Sequence, residues 1–354
     1  MLYYYLFLAI TMIFAAIYDK NPQKKMSLYT VLVIMTLFAG LRSAEVGTDA
    51  AGYARRFMSG SRELTGDFWE QIKSEPGFYY LNNFLGMLSK NYWVLFTGIA
   101  FLTYSCVLKA VKSETDKIII PIFIFITLGF YTFVFNAARQ GIAVAIYMLS
   151  YRYLFDDIKK GFPRYCFFVL LAALFHKTVI IALPLYFLFR QRFSIKICLI
   201  IVLLGALIAM SLPTFFIYAG SIESRYILYS TQAKGGELLT VFYVLMSVFF
   251  MMWRGNVDKR YKRKYDVFLN MMLFGSLIYV VVQLTGVYVE LTRFAAYFQV
   301  SAIFLWGFIY LSRKKPSIAF SLVIVIGHLL FYFIFCTRMA SLVPYKFNPE
   351  IAFL

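Results

Sequence analysis

Apolar runs of membrane-crossing length recur along almost the whole of this chain, and they restrict it to one kind of solvent. The hydrocarbon core of a bilayer is about 30 Å thick and takes ~20 apolar residues to cross as a helix. Spans are read at about 2–18, 27–41, 93–111, 118–135, 138–154, 195–212, 238–253, 266–286, 294–311 and 317–335. In lipid a backbone must satisfy its own polar groups, so such runs fold as helices. With 62% hydrophobic residues the chain lies far above the ~45–50% of a soluble domain. The expectation is a single all-α polytopic membrane domain, residues 1–354, with about ten full transmembrane helices.

The formal charge of +18 would suggest nucleic acid in a soluble protein. Here it sorts by side. The connecting segments 19–26, 109–117, 152–164, 190–196, 254–266 and 312–316 hold 22 Lys/Arg against 7 Asp/Glu, a net of +15. The rest of the chain holds 13 against 10, a net of +3. The positive-inside bias puts the first set in the cytoplasm and both termini outside. The densest run, Arg254 to Asp266, reads as a topology anchor on anionic lipid, with no nucleic-acid role. Cys106, Cys166, Cys198 and Cys336 form no Cys-x-x-Cys pair and read as small buried hydrophobes.

Two segments do not fit as spans. Residues 77–88 are too short and polar, and read as an interfacial helix started by Ser74-Glu75-Pro76-Gly77, with Pro76 at its first position. Residues 165–189 have basic flanks that both belong inside, so one crossing is excluded. They read as a broken hairpin with Phe175-His176-Lys177 at its tip, facing an outward cavity.

The less positive side concentrates chemistry. Arg42 closes the second span. Gly47-Thr48-Asp49 makes a turn that caps a short helix carrying Tyr53 and Phe57. Asn136-x-x-Arg139-Gln140-Gly141 occupies an outer turn, and Glu290, Arg293 and Arg338 sit at outer span ends. The outer loops are 42–92 and 213–237, the second holding Arg225. Arg42, Arg293 and Arg338 taken singly fit simple snorkelling, and Glu290 with Arg293 fits a helix pair of little consequence. Asp49 and Glu75 fit helix-terminus acids. Arg139 resists such a reading, because a charge at membrane depth costs at least ~2.5–3.5 kcal/mol. Arginine forks match phosphate and diphosphate, and aromatic rings and amides suit sugars. No Asp-x-Asp, His/Cys cluster, Walker or dinucleotide glycine pattern is present, so neither a metal nor a cofactor is expected.

In their order, Gly40-Leu41-Arg42, Gly47-Thr48-Asp49 with Tyr53, Glu75-Pro76-Gly77-Phe78 with Leu81-Asn82, Asn136-x-x-Arg139-Gln140-Gly141, Leu174-Phe175-His176-Lys177 and Leu342-Val343-Pro344-Tyr345-Lys346 resemble the EpsG family of Wzy-type polysaccharide polymerases. The resemblance implies a GT-C-like fold in a bacterial inner membrane. It implies transfer of a growing chain between undecaprenyl-diphosphate-linked oligosaccharides on the outer face, without metal, to make O-antigen or another surface polysaccharide. Membrane lipid, a chain-length regulator and a flippase are the implied partners. Arg139 and Arg293, assisted by Arg42 or Arg338, are expected on the diphosphate. His176, Asp49 or Glu75 is expected as general base, His176 ranked first for its unperturbed pKa of ~6.5. Tyr53, Asn82, Asn136, Gln140, Lys177, Arg225, Glu290, Tyr345 and Lys346 complete the expected substrate-binding set. Three other readings stay open: a transporter or flippase of lipid-linked sugars, an O-antigen ligase, and an acyltransferase using His176.

Overall fold

The structure is a computed structural model, and it describes residues 1–59, 75–222, 235–286, 289–312, 314 and 316–349, without the side chains at 212, 213, 215–217, 219–222 and 289–290. The described residues are helical throughout, apart from turns and one isolated antiparallel bridge, Arg42 to Phe347. Six helices are long and apolar enough to cross a membrane: Leu2–Lys20, Tyr92–Glu114, Glu237–Asn256, Lys259–Thr285, Leu291–Leu311 and Ile318–Met339. The helices divide into two compact units, Met1–Leu183 with Pro316–Leu354, and Pro184–Lys315.

In the first unit α1 (Leu2–Lys20) packs on α2 (Lys25–Gly40). Then follow α3 (Ala50–Ser59), α4 (Pro76–Leu88), α5 (Tyr92–Glu114), α6 (Ile119–Thr127), the single turn α7 (Phe133–Asn136), α8 (Ala138–Met148) and α9 (Ile158–Ala173). The expected interfacial helix is α4, 13 residues with Pro76 in its first turn. Its buried face carries Phe78 and Leu85, while Tyr80, Phe84, Met87 and Leu88, spaced i, i+4, i+7 and i+8, stay exposed.

Among the described residues, two of the ten expected spans are not continuous α-helices. The apolar run 118–135 stops being α-helical at Leu128, because Gly129 takes φ +80 and a Cβ there would strike the Phe335 ring at 2.4 Å. That leaves α6 nine residues long, about 13 Å at ~1.5 Å per residue. The run 138–154 divides likewise into α8 and a short 3-10 turn, Tyr151–Leu154. Asp19 at the end of α1 caps α6, its two oxygens accepting from the Ile118 and Ile119 N–H groups at 2.8 and 3.0 Å.

The hairpin expected over 165–189 breaks at the expected place. α9 begins earlier, at Ile158, and ends at Ala173, and a 3-10 helix starts at Lys177 and leads into α10 (Ala182–Phe189). The Tyr165 hydroxyl donates to Ala182 O at 2.9 Å, so the returning segment runs back along α9.

The second unit contains α11 (Ile195–Ile222), α12 (Glu237–Trp253), α13 (Lys259–Thr285), α14 (Ala296–Gln299) and α15 (Ala302–Leu311). A buried polar seam joins three of these: Ser247 and Ser276 hydroxyls lie 2.7 Å apart, and Gln299 Nε2 donates to Ser276 Oγ at 3.0 Å. The basic run at 254–266 holds a bidentate pair, with Arg254 Nε and Nη2 donating to the two Asp266 oxygens at 2.6 and 2.8 Å. The last long helix, α16 (Ile318–Ile334), belongs to the first unit and continues through a π-helical turn, Phe335–Met339, into the strap 340–349.

Candidate functional site

Breaking a helix leaves carbonyls without partners on one side and N–H groups on the other. At the Leu174–Lys177 corner the segment 75–77 supplies both. The Gly77 N–H donates to Leu174 O at 2.8 Å, and Glu75 Oε1 accepts from the Lys177 N–H at 3.4 Å. The approach requires glycine at 77, since a Cβ there would lie 2.9 Å from Leu174 Cβ. The corner and the start of α4 therefore form one structure, although about a hundred residues separate them.

Glu75 is the centre of that structure. Its side chain is only 3% exposed. Arg139 Nη1 donates to Oε2 at 2.7 Å, and His176 Nδ1 lies 2.7 Å from Oε1. Burial by itself raises the pKa of this carboxyl. The His176 hydrogen bond, the Arg139 charge and the Lys177 N–H outweigh burial and hold it below its ordinary 4.5. Arg139 and His176 stay 21% and 23% exposed, so both are accessible where Glu75 is not. With a carboxylate on Nδ1, the neutral imidazole carries its proton there and leaves Nε2 as acceptor.

The third side of the cluster is α3. Asp49 precedes it, and its backbone carbonyl accepts from the Tyr53 N–H at 3.1 Å. Tyr53 packs edge-on against Phe78 at 5.8 Å, and its phenol lies within electrostatic reach of Arg139. Arg56, one turn further along, lies in the electrostatic field of Tyr53, Arg139 and Asp49. The sequence reading passed over Arg56. Its signal was the spacing Asp49, Tyr53, Arg56, which puts an acid, a phenol and a cation on one helix face.

Arg42 was expected to assist on the diphosphate, and its position is different in kind. Its guanidinium lies 4.0 Å from both the Phe96 and the Phe135 ring centroids and donates to the Ala39 and Val46 carbonyls. The residue is 3% exposed. Around it Tyr4, Tyr131 and Tyr345 donate to the carbonyls of Leu342, Met35 and Phe38. This is a sealed cage that offers no open face to an anion.

Asn136 was expected to touch substrate, and the structure commits both ends of its amide to backbone. Oδ1 accepts from the Thr48 N–H at 2.9 Å, and Nδ2 donates to Ala340 O at 3.0 Å. Gly47 beside it needs φ +110. Tyr345 is buried in the Arg42 cage, stacked on Phe38 at 4.4 Å. Lys346 makes an exposed pair with Glu45 at 2.6 Å.

The remaining expected residues are dispersed. Asn82 lies on α4 with its Oδ1 buried and lacking a hydrogen-bond partner among the described residues. Gln140 is buried next to Arg139, Lys177 is exposed next to His176, and Arg338 is exposed in the π-helical turn. Arg293 is half-buried in a 3-10 helix of the second unit. Arg225 and the side chain of Glu290 lie outside the described residues.

Long apolar helices without a described strand define a polytopic helical membrane protein. Within that class the family is also fixed. The model of the EpsG family matches residues 25–347, nearly the whole chain, and the chain belongs to that family of Wzy-like polymerases. No curated protein and no solved structure matches it.

Proposed function

We propose that the protein is a polysaccharide polymerase that joins undecaprenyl-diphosphate-linked repeat units on the outer face of the bacterial inner membrane, in a GT-C-like arrangement with the termini outside. The observation that carries this reading is the Glu75 carboxylate, held at 2.7 Å by both Arg139 and His176, two partly open groups of complementary use. An acceptor sugar hydroxyl attacks the anomeric carbon of the donor chain. The bond from that carbon to the diphosphate breaks, and its electron pair leaves with the diphosphate. Arg139 stabilises the developing negative charge there without a metal. The hydroxyl proton passes to His176 Nε2. Glu75, saturated by its donors and buried, is a positioning residue that fixes the His176 tautomer and ring. Asp49, Tyr53 and Gln140 line the acceptor side.

The test is direct. Purified protein in nanodiscs is given one lipid-linked oligosaccharide. A ladder of repeat lengths is expected, and Arg139→Ala is expected to lose it while remaining folded. Transfer to lipid A core instead of a ladder means a ligase, and translocation without new bonds means a flippase. A normal ladder from Arg139→Ala overturns the site.

A further inference from the structure

Glu75 joins α8 to the end of α9, and two tyrosines join the same helices at a second point. The Tyr165 hydroxyl donates its proton to Ala182 O at 2.9 Å. The Tyr147 hydroxyl lies 3.0 Å from it, so Tyr147 donates and Tyr165 accepts. Both residues are fully buried. One hydroxyl thus ties three elements: α8 through Tyr147, α9 through Tyr165 itself, and the returning segment through Ala182.

The two ties are equally spaced on both helices. Arg139 to Tyr147 along α8 and Tyr165 to Ala173 along α9 each span eight residues, about 12 Å at ~1.5 Å per residue. The result is a closed frame. Arg139 and His176 meet on Glu75 at 2.7 Å at one end, and the hydroxyl pair closes the other. His176 follows the end of α9 in extended backbone, φ −157° and ψ 108°, so it moves as α9 moves. A slide of α9 along α8 opens one of the two 2.7 Å contacts. Inside a bilayer the hydrophobic effect does not drive helices together, and water does not compete for bonds between them, so directional hydrogen bonds carry the register.

We infer that Tyr165, with Tyr147 as its donor, is a positioning residue for the Glu75–Arg139–His176 cluster. Its hydroxyl sets the register of α8 against α9 and the returning segment, and so holds His176 Nδ1 on Glu75. The consequence for turnover rests on the function proposed above; the consequence for the His176 ring does not.

Tyr165→Phe is the test, because it keeps the ring that packs against Tyr147 at 5.9 Å and deletes only the hydroxyl. The chain has 2 histidines, His176 and His328, so isotope labelling of histidine in nanodisc-embedded protein gives two sets of ring signals. His176→Gln identifies which set belongs to residue 176. Wild-type protein is expected to show one neutral His176 tautomer, with the proton on Nδ1. Tyr165→Phe is expected to show both tautomers, and its kcat on a lipid-linked oligosaccharide to fall about tenfold with KM little changed. Tyr147→Phe breaks one of the two bonds and is expected to act in the same way but more weakly; it carries the test if Tyr165→Phe does not fold. Tyr265→Phe is the control, since it removes a like bond, to Phe250 O at 2.8 Å, in the second unit. It is expected to lower the melting temperature and to leave the tautomer and kcat unchanged. An unchanged His176 tautomer in Tyr165→Phe overturns the inference and leaves the proposed function standing. A loss of kcat in Tyr265→Phe as large as in Tyr165→Phe also overturns it, by showing general loosening. Mixed tautomers with wild-type kcat uphold the register and overturn His176 as the base. Mixed tautomers in Tyr165→Phe, where even wild-type protein makes no polymer, uphold the positioning and overturn the proposed function.

Discussion

Arg42 and Arg139 are both cations expected to serve a diphosphate, and the chain surrounds them in opposite ways. Among the described residues, no carboxylate pairs with Arg42. Two phenyl faces at 4.0 Å, backbone carbonyls and a ring of tyrosines absorb its charge. Arg139 has a carboxylate at 2.7 Å and 21% of its side chain open. The first arrangement satisfies a guanidinium completely and leaves nothing to bind. The second satisfies it in part, so a new anion can still gain by arriving. A buried arginine is thus not by itself a ligand site; the unsatisfied fraction decides.

Exchanging the two treatments breaks the comparison most severely. Arg139→Ala should reduce polymer formation by about a hundredfold or more, the scale of removing one transition-state donor, with little change in melting temperature. Arg42→Ala should do the reverse. It leaves a cavity between Phe96 and Phe135 and should lower stability by about 2–5 kcal/mol, read as the melting midpoint in detergent. An Arg42 variant that stays fully stable but loses polymer would show the cage to be catalytic and end the distinction.

Glu75→Gln sharpens the Arg139 half. It keeps the shape and most hydrogen bonds but removes the negative charge that faces Arg139 and His176. Turnover should fall with a shift in the pH–rate profile, which a merely structural loss would not produce. The same residue gives a pH prediction for stability. Its folded pKa lies below the ordinary 4.5, so its contribution is complete above 4.5 and is lost as pH falls through the lower folded value. Melting temperature should therefore drop more steeply below pH 4.5 in wild type than in Glu75→Gln.

Asn136→Ala tests whether the two regions are mechanically joined, since its amide links the Thr48 turn to the strap that covers the Arg42 cage. About 1–3 kcal/mol of destabilisation is expected from the two backbone groups left unpaired. The smallest effect belongs to Lys346→Ala. Its pair with Glu45 is 54% and 68% exposed and should be worth no more than about 1 kcal/mol.

Several elements were legible before any coordinates. Pro76 marked the start of α4, and the His176-Lys177 interruption marked the break after α9, because polar groups inside an apolar run demand a local solution. The runs 118–135 and 138–154 misled for the converse reason. Hydropathy counts apolar side chains and is blind to a backbone that leaves the helix at Gly129, where a ring from residue 335 takes the space of a Cβ. Arg56 was overlooked because the adjacent Arg55 and Arg56 on a ten-residue helix look solvated until the facing helix is known.

The amino-acid order alone determined the solvent, the helical class, the family motifs and the residues bearing charge, since each follows from local composition and spacing. Only the tertiary structure decided which charges are sealed and which stay open. That depends on partners far away along the chain, such as Glu75 meeting Arg139 and His176 while Arg42 meets rings. Burial and pairing are sums over such distant neighbours, and no window along the chain contains them.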